Sequence, residues 1–325
     1  MTTDLRTGPP VAPARVPRRR PGSLAVALAV LVVALVPVAV TTDRFLTLDN
    51  ARAILASAAL VGITAMGATL VMIAGSAVSL ASAQTATVVA MVFLATQDRG
   101  LVVATLLGLL GGIAVTALQG VAVGYWEANP IVLTIAAGFA LGGGAIWLSG
   151  GTPVNATTDG YELFNSTPLG LPLAVYVLLV LAAVAQAILR RTAAGRQMYL
   201  IGENRAAARA AGLPVGRVLV LAWAFFGLCL AITGVFLASF NTSATTNLGG
   251  TLTLDAIAAV LVGGTAITGG KGSALRTLGG AVLISVIADI LLIRGYSTGV
   301  QILVKGVLVL AVVVLVHVRA TRGSR

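Results

Sequence analysis

The sequence predicts an all-α protein, a polytopic bundle of transmembrane helices with broken helices near its centre. Of the 325 residues, 58% are hydrophobic and 10% are charged, and the mean hydropathy is +1.02. A water-soluble domain could not solvate such a surface. In addition, apolar runs of about 20 residues, the length that crosses a bilayer, recur along almost the whole chain.

The chain begins with a segment that is too basic and too rich in proline to bury a core. Residues 1–22 contain five prolines and five arginines, so we expect a disordered basic tail in the cytoplasm. A basic stretch before the apolar run 24–40 also fits a cleavable signal peptide. The length of the tail and the later apolar runs favour a retained first span.

Ten apolar segments have about the length of a membrane span. They cover residues 23–42, 51–73, 76–97, 101–123, 130–149, 171–190, 217–240, 255–270, 276–293 and 297–317. Residues 23–318 are therefore predicted to form one transmembrane domain, with a short cytoplasmic tail at residues 319–325.

The distribution of charge predicts the orientation. The formal net charge is +11, and the basic residues gather at the ends of the apolar segments. With the N-terminus inside, ten spans put most of these residues in the cytoplasm and the acidic loop 150–170 outside, which predicts N-in and C-in. Nucleic acid is not an expected partner, because the basic segments lack interleaved aromatic residues.

Two similar strings of small and hydroxyl residues interrupt the apolar segments. One runs from Ala74 to Ala81 and the other from Gly263 to Gly270. A broken helix at membrane depth frees backbone groups that need partners, so both strings are candidate parts of a substrate path and of an internal repeat. Close helix packing through small residues, and chance similarity in a chain rich in Gly and Ala, are the alternatives.

Few residues of the predicted spans could carry charge-based chemistry. Asp289 and Lys305 flank the turn at residues 294–298 at comparable distances, so we expect a structural ion pair across the last hairpin. With one histidine, one cysteine and no metal-ligand spacing, the sequence predicts no metal site and no enzymatic activity of its own.

The longest polar interval inside the apolar chain lies within residues 191–216. Asn204 is a potential N-cap, and Glu203 would supply an acidic first turn. Gly212 suits a left-handed stop before Pro214. We expect a short helix from Glu203 to Ala211 that docks another protein through its small residues, the alternative being an ordinary basic loop.

Four strings occur in a fixed order along the chain: Asn129–Thr134 leading to residues 150–153, Gly202–Val215, Val262–Thr265 leading to Ser273, and Lys305-Gly306. Together they resemble the membrane permeases of bacterial ABC importers of the ribose and related monosaccharide type. The resemblance covers about residues 50–317.

The resemblance implies a permease subunit that forms the path for a small polar solute, a sugar or a sugar-like compound, handed over by an extracytoplasmic solute-binding protein. It implies further partners: a dimer of cytoplasmic ATP-binding subunits, a second or related permease copy, and the lipid of the bacterial cytoplasmic (inner) membrane. ATP and magnesium would be bound by the partner subunit, so no cofactor is expected in this chain. An ion-coupled secondary transporter or a channel is the alternative.

The resemblance also implies two groups of site residues. The residues implied in coupling to the ATPase are Gly202, Glu203, Asn204, Arg205, Ala207, Ala208, Arg209 and Gly212. The residues implied in forming the translocation path are Gly75, Ser76, Ser79, Gln84, Asn129, Gly263, Gly264, Thr265 and Thr268. The chain departs from the family pattern at Ala77, where the sugar permeases carry an acid, which leaves the choice of cargo open.

Overall fold

The computed structural model describes residues 37, 41, 42 and 45–322, with side chains described to residue 311 and at residue 314. The predicted N-terminal tail and almost all of the first predicted span lie outside the described residues. The prediction of an all-α helical bundle is confirmed. In the described part, the chain forms α1 (Leu48–Ile73), α2 (Ser82–Ala95), α3 (Leu101–Tyr125), α4 (Pro130–Ser149), α5 (Leu173–Arg191), α6 (Ala193–Glu203), α7 (Arg205–Ala210), α8 (Val215–Asn241), α9 (Leu252–Val262), α10 (Ala274–Ile293) and α11 (Thr298–Arg322).

Short irregular elements cover one end of the bundle. Strands β1 (Val154–Asn155) and β2 (Ser243–Ala244) pair antiparallel, and β1 lies in the loop that the charge pattern puts outside. Short 3₁₀ turns occupy Gln97–Arg99, Asp159–Asn165 and Pro168–Gly170. Ser239, near the end of α8, donates to the Tyr161 carbonyl, which ties this loop to the bundle.

Six of the described helices are long and apolar enough to cross a membrane, namely α1, α3, α4, α5, α8 and α10. They agree with six of the ten predicted spans. The helices in two other predicted spans are short: α2 has 14 residues and α9 has 11. The last span corresponds to α11, which continues to Arg322 and so into the predicted C-terminal tail. The count of ten spans and the orientation stay predictions.

Both predicted interruptions are non-helical. Residues 74–81 separate α1 from α2, and residues 263–273 separate α9 from α10. The two short helices begin close together, because the backbone N–H of Ala83 donates to Thr253 Oγ1 at 2.9 Å. α2 and α9 are thus half-length helices whose N-terminal ends meet inside the bundle.

The core is built by α8 against α1, α2 and α3. Small residues allow these backbones to approach closely: a Cβ on Gly67 of α1 would lie 2.6 Å from the Phe226 Cα of α8. Hydrocarbon lipid gives no hydrophobic drive between helices, so such close van der Waals packing holds membrane helices together. Trp223, Phe226 and Met66 are fully buried in this core.

Candidate functional site

The polar interval forms two helices where one was expected. The predicted helix from Glu203 to Ala211 begins later, because Glu203 ends α6 and α7 starts at Arg205. The prediction that Glu203 supplies an acidic first turn of this helix was wrong. α6 was missed because its few apolar residues are spread among polar ones. Met198 and Ile201, three residues apart, form its buried face.

The predicted capping residues of the short helix are confirmed. Asn204 Oδ1 accepts from the Ala207 N–H at 2.9 Å, which makes Asn204 the N-cap. Gly212 has a φ of 76°, and the Leu213 N–H donates to the Ala208 carbonyl at 3.0 Å. This is the six-to-one hydrogen bond that closes a helix whose next residue is left-handed.

The alanines of α7 divide into two faces. Ala206, Ala207 and Ala210 are exposed, whereas Ala208 is only 5% exposed and packs against the bundle. Sequence reasoning grouped Ala207 with Ala208 as docking residues. The structure leaves Ala207 available to a partner and uses Ala208 to seat the helix.

The two arginines of α7 have partners within the chain. Arg205 Nη2 donates to the Val123 carbonyl of α3 at 2.8 Å, and Arg209 forms an ion pair with Glu127 just beyond α3. Burial lowers the pKa of Arg205, and the nearby charge of Arg209 lowers it further. Within the chain, both arginines therefore hold α7 against the end of α3.

Four glycines bring α6 and both interruptions together, and we call this contact the glycine junction (Gly75, Gly202, Gly269 and Gly270). A Cβ on Gly202 would collide with the Ile73 carbonyl oxygen and the Gly270 nitrogen. A Cβ on Gly269 would lie 2.6 Å from the Gly75 Cα. Only residues without a side chain allow three backbones to pass at these distances.

Hydrogen bonds also join the segments at the glycine junction. The Gly270 N–H donates to the Ile73 carbonyl at 3.0 Å, which links the second interruption to the end of α1. Tyr199 of α6 donates through its hydroxyl to the Gly272 carbonyl, also at 3.0 Å. A displacement of α6 and α7 would therefore act directly on both interruptions. The glycines of these segments were visible in the sequence. No sequence pattern indicated that they would contact one another.

The predicted path residues do not form a single lining. Gly75 lies in the glycine junction. Gly263 packs α9 against α10, since a Cβ there would lie 2.7 Å from the Thr277 Cα, as the alternative of close packing expected. Asn129 caps α4, with its Oδ1 accepting from the Ile131 N–H at 2.9 Å. Gly264 follows with a φ of 77°, and Thr268 is exposed.

A polar cluster surrounds the start of α2 and includes two of the predicted path residues, Ser79 and Gln84. Buried Ser79 donates to Gln119 Oε1 of α3 at 3.1 Å. The Leu80 N–H donates to Thr134 Oγ1 of α4 at 3.2 Å. Gln119 and Thr134 were not among the predicted site residues. Each is an isolated polar residue in an apolar span, and that pattern could have identified it.

Some buried polar atoms in this region have no hydrogen-bond partner among the described residues. They include Gln84 Oε1 and Gln119 Nε2 of the polar cluster, and also Thr265 Oγ1 in the second interruption. Ser76 is buried as well, and its hydroxyl reaches only the neighbouring Ala77 carbonyl at 3.4 Å. A buried polar group without a partner is costly, so these atoms are the ones best placed to gain a partner when the site changes shape or binds a solute.

The predicted ion pair between Asp289 and Lys305 is not formed. Lys305 Nζ lies 2.7 Å from Asp255 Oδ1, and Asp289 accepts from Asn50 Nδ2 at 2.9 Å. The start of α9 at Leu252 explains the difference, because it puts Asp255 in the first turn of a half-helix beside α11. A carboxylate is also favoured at a helix N-terminus. In the described part of the chain, no group of three or more potential ligands could hold a metal ion.

The comparison with known families decides the class of protein. The sequence model of one protein family, the permease component of the branched-chain amino acid transport system, matches residues 50–316. The chain belongs to this permease family. The match contains every helix from α2 to α10, the glycine junction and the polar cluster.

Individual permeases are similar over most of their length. The ribose import permease protein RbsC of Escherichia coli K12 is 31% identical over 300 residues, which cover 89% of this chain and 92% of that protein. The probable ABC transporter permease protein YphD of the same strain is 33% identical over 282 residues, with 86% and 85% covered. The autoinducer 2 import system permease protein LsrD of Yersinia enterocolitica is 35% identical over 201 residues, with 58% and 60% covered. No solved structure matches the chain in this comparison.

Proposed function

We propose that this chain is the permease subunit of an ATP-driven ABC importer and forms the path for a small polar solute. The family match and the names of the relatives support this class of function. The chain would have no ATPase activity of its own. A dimer of cytoplasmic ATP-binding subunits would bind ATP and magnesium and perform the hydrolysis.

The glycine junction is the observation that carries the proposal, because it gives a mechanical route from an exposed helix to the interior. The exposed face of α7, with Ala206, Ala207 and Ala210, offers a partner close access to the backbone. α7 follows α6 directly, and Gly202 of α6 contacts both interruptions. Docking and release by an ATP-binding subunit would shift Gly202 and with it the two breaks, so that ATP selects between two arrangements of the path.

The polar cluster suits a solute with several hydroxyl groups. Ser79, Gln84 and Gln119 offer hydroxyl and amide groups that can both donate and accept. A sugar or a sugar-like compound is the cargo we propose, in line with the ribose and autoinducer 2 permeases among the relatives. The acid that sugar permeases carry at the position of Ala77 is absent, so binding here would rest on neutral groups.

We propose the remaining architecture as follows. Ten spans run with both termini inside, residues 1–22 and the end of the chain lie in the cytoplasm of a bacterium, and the bilayer is the inner membrane. The loop 150–170 faces an extracytoplasmic solute-binding protein. The transport unit also contains a second permease, either a copy of this chain or a relative.

Reconstitution in liposomes tests the function. The purified protein should move no radiolabelled ribose or other candidate sugar until the ATP-binding subunit, ATP and magnesium are supplied on one side and the solute-binding protein on the other. Uptake driven by a proton or sodium gradient without the ATP-binding subunit would instead establish the alternative, an ion-coupled transporter. Passive flux of solute through the protein alone would establish a channel.

A further inference from the structure

A polar cleft lies outside the glycine junction, where two membrane spans end side by side. We call it the basic cleft and define it by Gln186, Arg190, Tyr199, Ser273, Leu275 and Arg276. Its volume is about 380 Å³. Three elements form it: the end of α5, the middle of α6 and the beginning of α10.

The charge of the basic cleft is uncompensated. Arg190 and Arg276 are exposed, and neither forms an ion pair or a side-chain hydrogen bond with any residue that the structure describes. None of the described residues that line the cleft is acidic. Two guanidinium groups that face one cleft without a counter-charge attract an anion.

The start of α10 adds donors to the same place. Ser273 is the N-cap residue of α10, but its side chain makes no capping hydrogen bond and instead contacts Gln186 Oε1 at 3.4 Å. The first turn of α10 contains a basic residue, Arg276, and no acidic one. The free N–H groups and the dipole of a helix N-terminus favour a negative charge, so an anion would correct a charge arrangement that is otherwise unfavourable.

Tyr199 lines the basic cleft together with the two arginines. Burial raises the pKa of Tyr199, and the charges of Arg276 and Arg190 both lower it. The phenol is held by its hydrogen bond to the Gly272 carbonyl, so it forms a fixed wall of the cleft. The two arginines therefore line the same cleft as a tyrosine whose hydroxyl is held in place.

We propose that the basic cleft binds a phosphate group, in the form carried by the headgroup of an anionic phospholipid. Planar guanidinium groups match phosphate oxygens in pairs, and basic pockets between membrane helices on the cytoplasmic side bind anionic headgroups. Leu275, which is 56% exposed beside the cleft, offers an apolar contact for an acyl chain. Free phosphate offers the same oxygens to the arginines, but it has no acyl chain that could contact Leu275.

Thermal unfolding of the purified chain in detergent tests the site without any partner protein, so its result is independent of the importer assignment. The probes are phosphatidylglycerol, phosphatidylcholine and inorganic phosphate, each titrated into the protein. Phosphatidylglycerol should raise the midpoint of unfolding in a saturable way, and phosphatidylcholine should not. An equal rise with inorganic phosphate would make free phosphate the ligand and overturn the assignment to lipid.

Variants locate the effect. In R190Q/R276Q, half-saturation should need about 25-fold more phosphatidylglycerol, because each arginine near an anionic group contributes about fivefold in affinity. The control R191Q/R217Q removes the same charge from exposed residues that do not line the cleft and should respond like the wild type. R190K/R276K keeps the charge, so its affinity for phosphatidylglycerol should fall less than that of R190Q/R276Q. If R190Q/R276Q does not fold, either single Gln variant replaces it in the test. Equal responses of R190Q/R276Q and the wild type would overturn the proposal.

Discussion

At the scale of single residues, the glycine junction depends on the missing side chain of Gly202. Alanine at this position would force the Ile73 carbonyl and the Gly270 backbone apart. Overpacking of this kind costs about 1–3 kcal/mol. We expect Gly202→Ala to lower the thermal unfolding midpoint in detergent and to abolish coupled transport.

Gly279 provides the matched control for this prediction. It lies in α10, where a Cβ would meet no packed neighbour within 4 Å among the described residues, so Gly279→Ala should leave the unfolding midpoint unchanged or raise it slightly. A Gly202→Ala variant that unfolds and transports like Gly279→Ala would show that the close approach at Gly202 is not needed.

The buried ion pair gives a second prediction at this scale. Asp255 and Lys305 have side chains that are only 10% and 11% exposed, and Thr251 donates to the other carboxylate oxygen at 2.7 Å. Removing one partner leaves a buried charge alone, which costs about 3–5 kcal/mol. We expect Lys305→Met to destabilise the protein strongly and the double variant Asp255→Asn/Lys305→Met to recover much of the loss.

The control for the ion pair is Asp289→Asn, whose partner in the structure is the neutral Asn50. Combined with Lys305→Met, it should recover nothing. Recovery by Asp289→Asn, with none by Asp255→Asn, would restore the pairing that the sequence suggested. Unfolding midpoints of the purified variants in one detergent decide between these outcomes.

At the scale of elements, α7 separates docking from folding. Ala207 is exposed and Ala208 is buried, although they are adjacent. We expect Ala207→Trp to keep the wild-type unfolding midpoint and to lose stimulation of the ATP-binding subunit's hydrolysis. Ala208→Trp should lower the midpoint, because its side chain has no space against the bundle.

The same pair of variants also tests the division of faces. If Ala207→Trp lowered the midpoint and Ala208→Trp left it unchanged, the assignment of the two faces would be reversed. If neither changed hydrolysis, α7 would not be the docking element.

The sequence predicted the capping residues of α7 and both interruptions, because these depend on local chemistry. Asn204, Gly212 and the glycine strings act through their own backbone geometry. It did not predict α6, whose apolar face is short, or the partner of Lys305, which depends on where α9 begins. Contacts such as Gly202 with Gly270 join segments far apart in the chain, and no local pattern encodes them.

At the scale of the whole molecule, the exposed apolar helices indicate where the bundle meets lipid or another subunit. Of the most apolar 18 residues of α4, only 6% are buried within the chain. Phe139 and Trp147 of this helix are 78% and 82% exposed. The helix nevertheless contributes Thr134 to the polar cluster, so one of its faces is part of the proposed path.

The orientation can be tested with single cysteines, since Cys229 is the chain's one cysteine and is buried. In a Cys229→Ala background, Thr157→Cys should react with an impermeant maleimide in intact spheroplasts. Ala207→Cys should react only after the membrane is opened. The reverse pattern would invert the proposed topology, and the total labelling in detergent controls for access.

Photo-cross-linking from position 207 tests the central claim most directly, namely that the exposed face of α7 receives the ATP-binding subunit. A photoreactive amino acid is placed at Ala207, or at Thr157 as the control on the opposite side, in membranes that also contain the ATP-binding subunit. We predict that the ATP-binding subunit is cross-linked from position 207 and not from position 157, with a yield that changes when ATP is added. Cross-linking from position 157, or none from position 207 while the complex copurifies, would contradict the account.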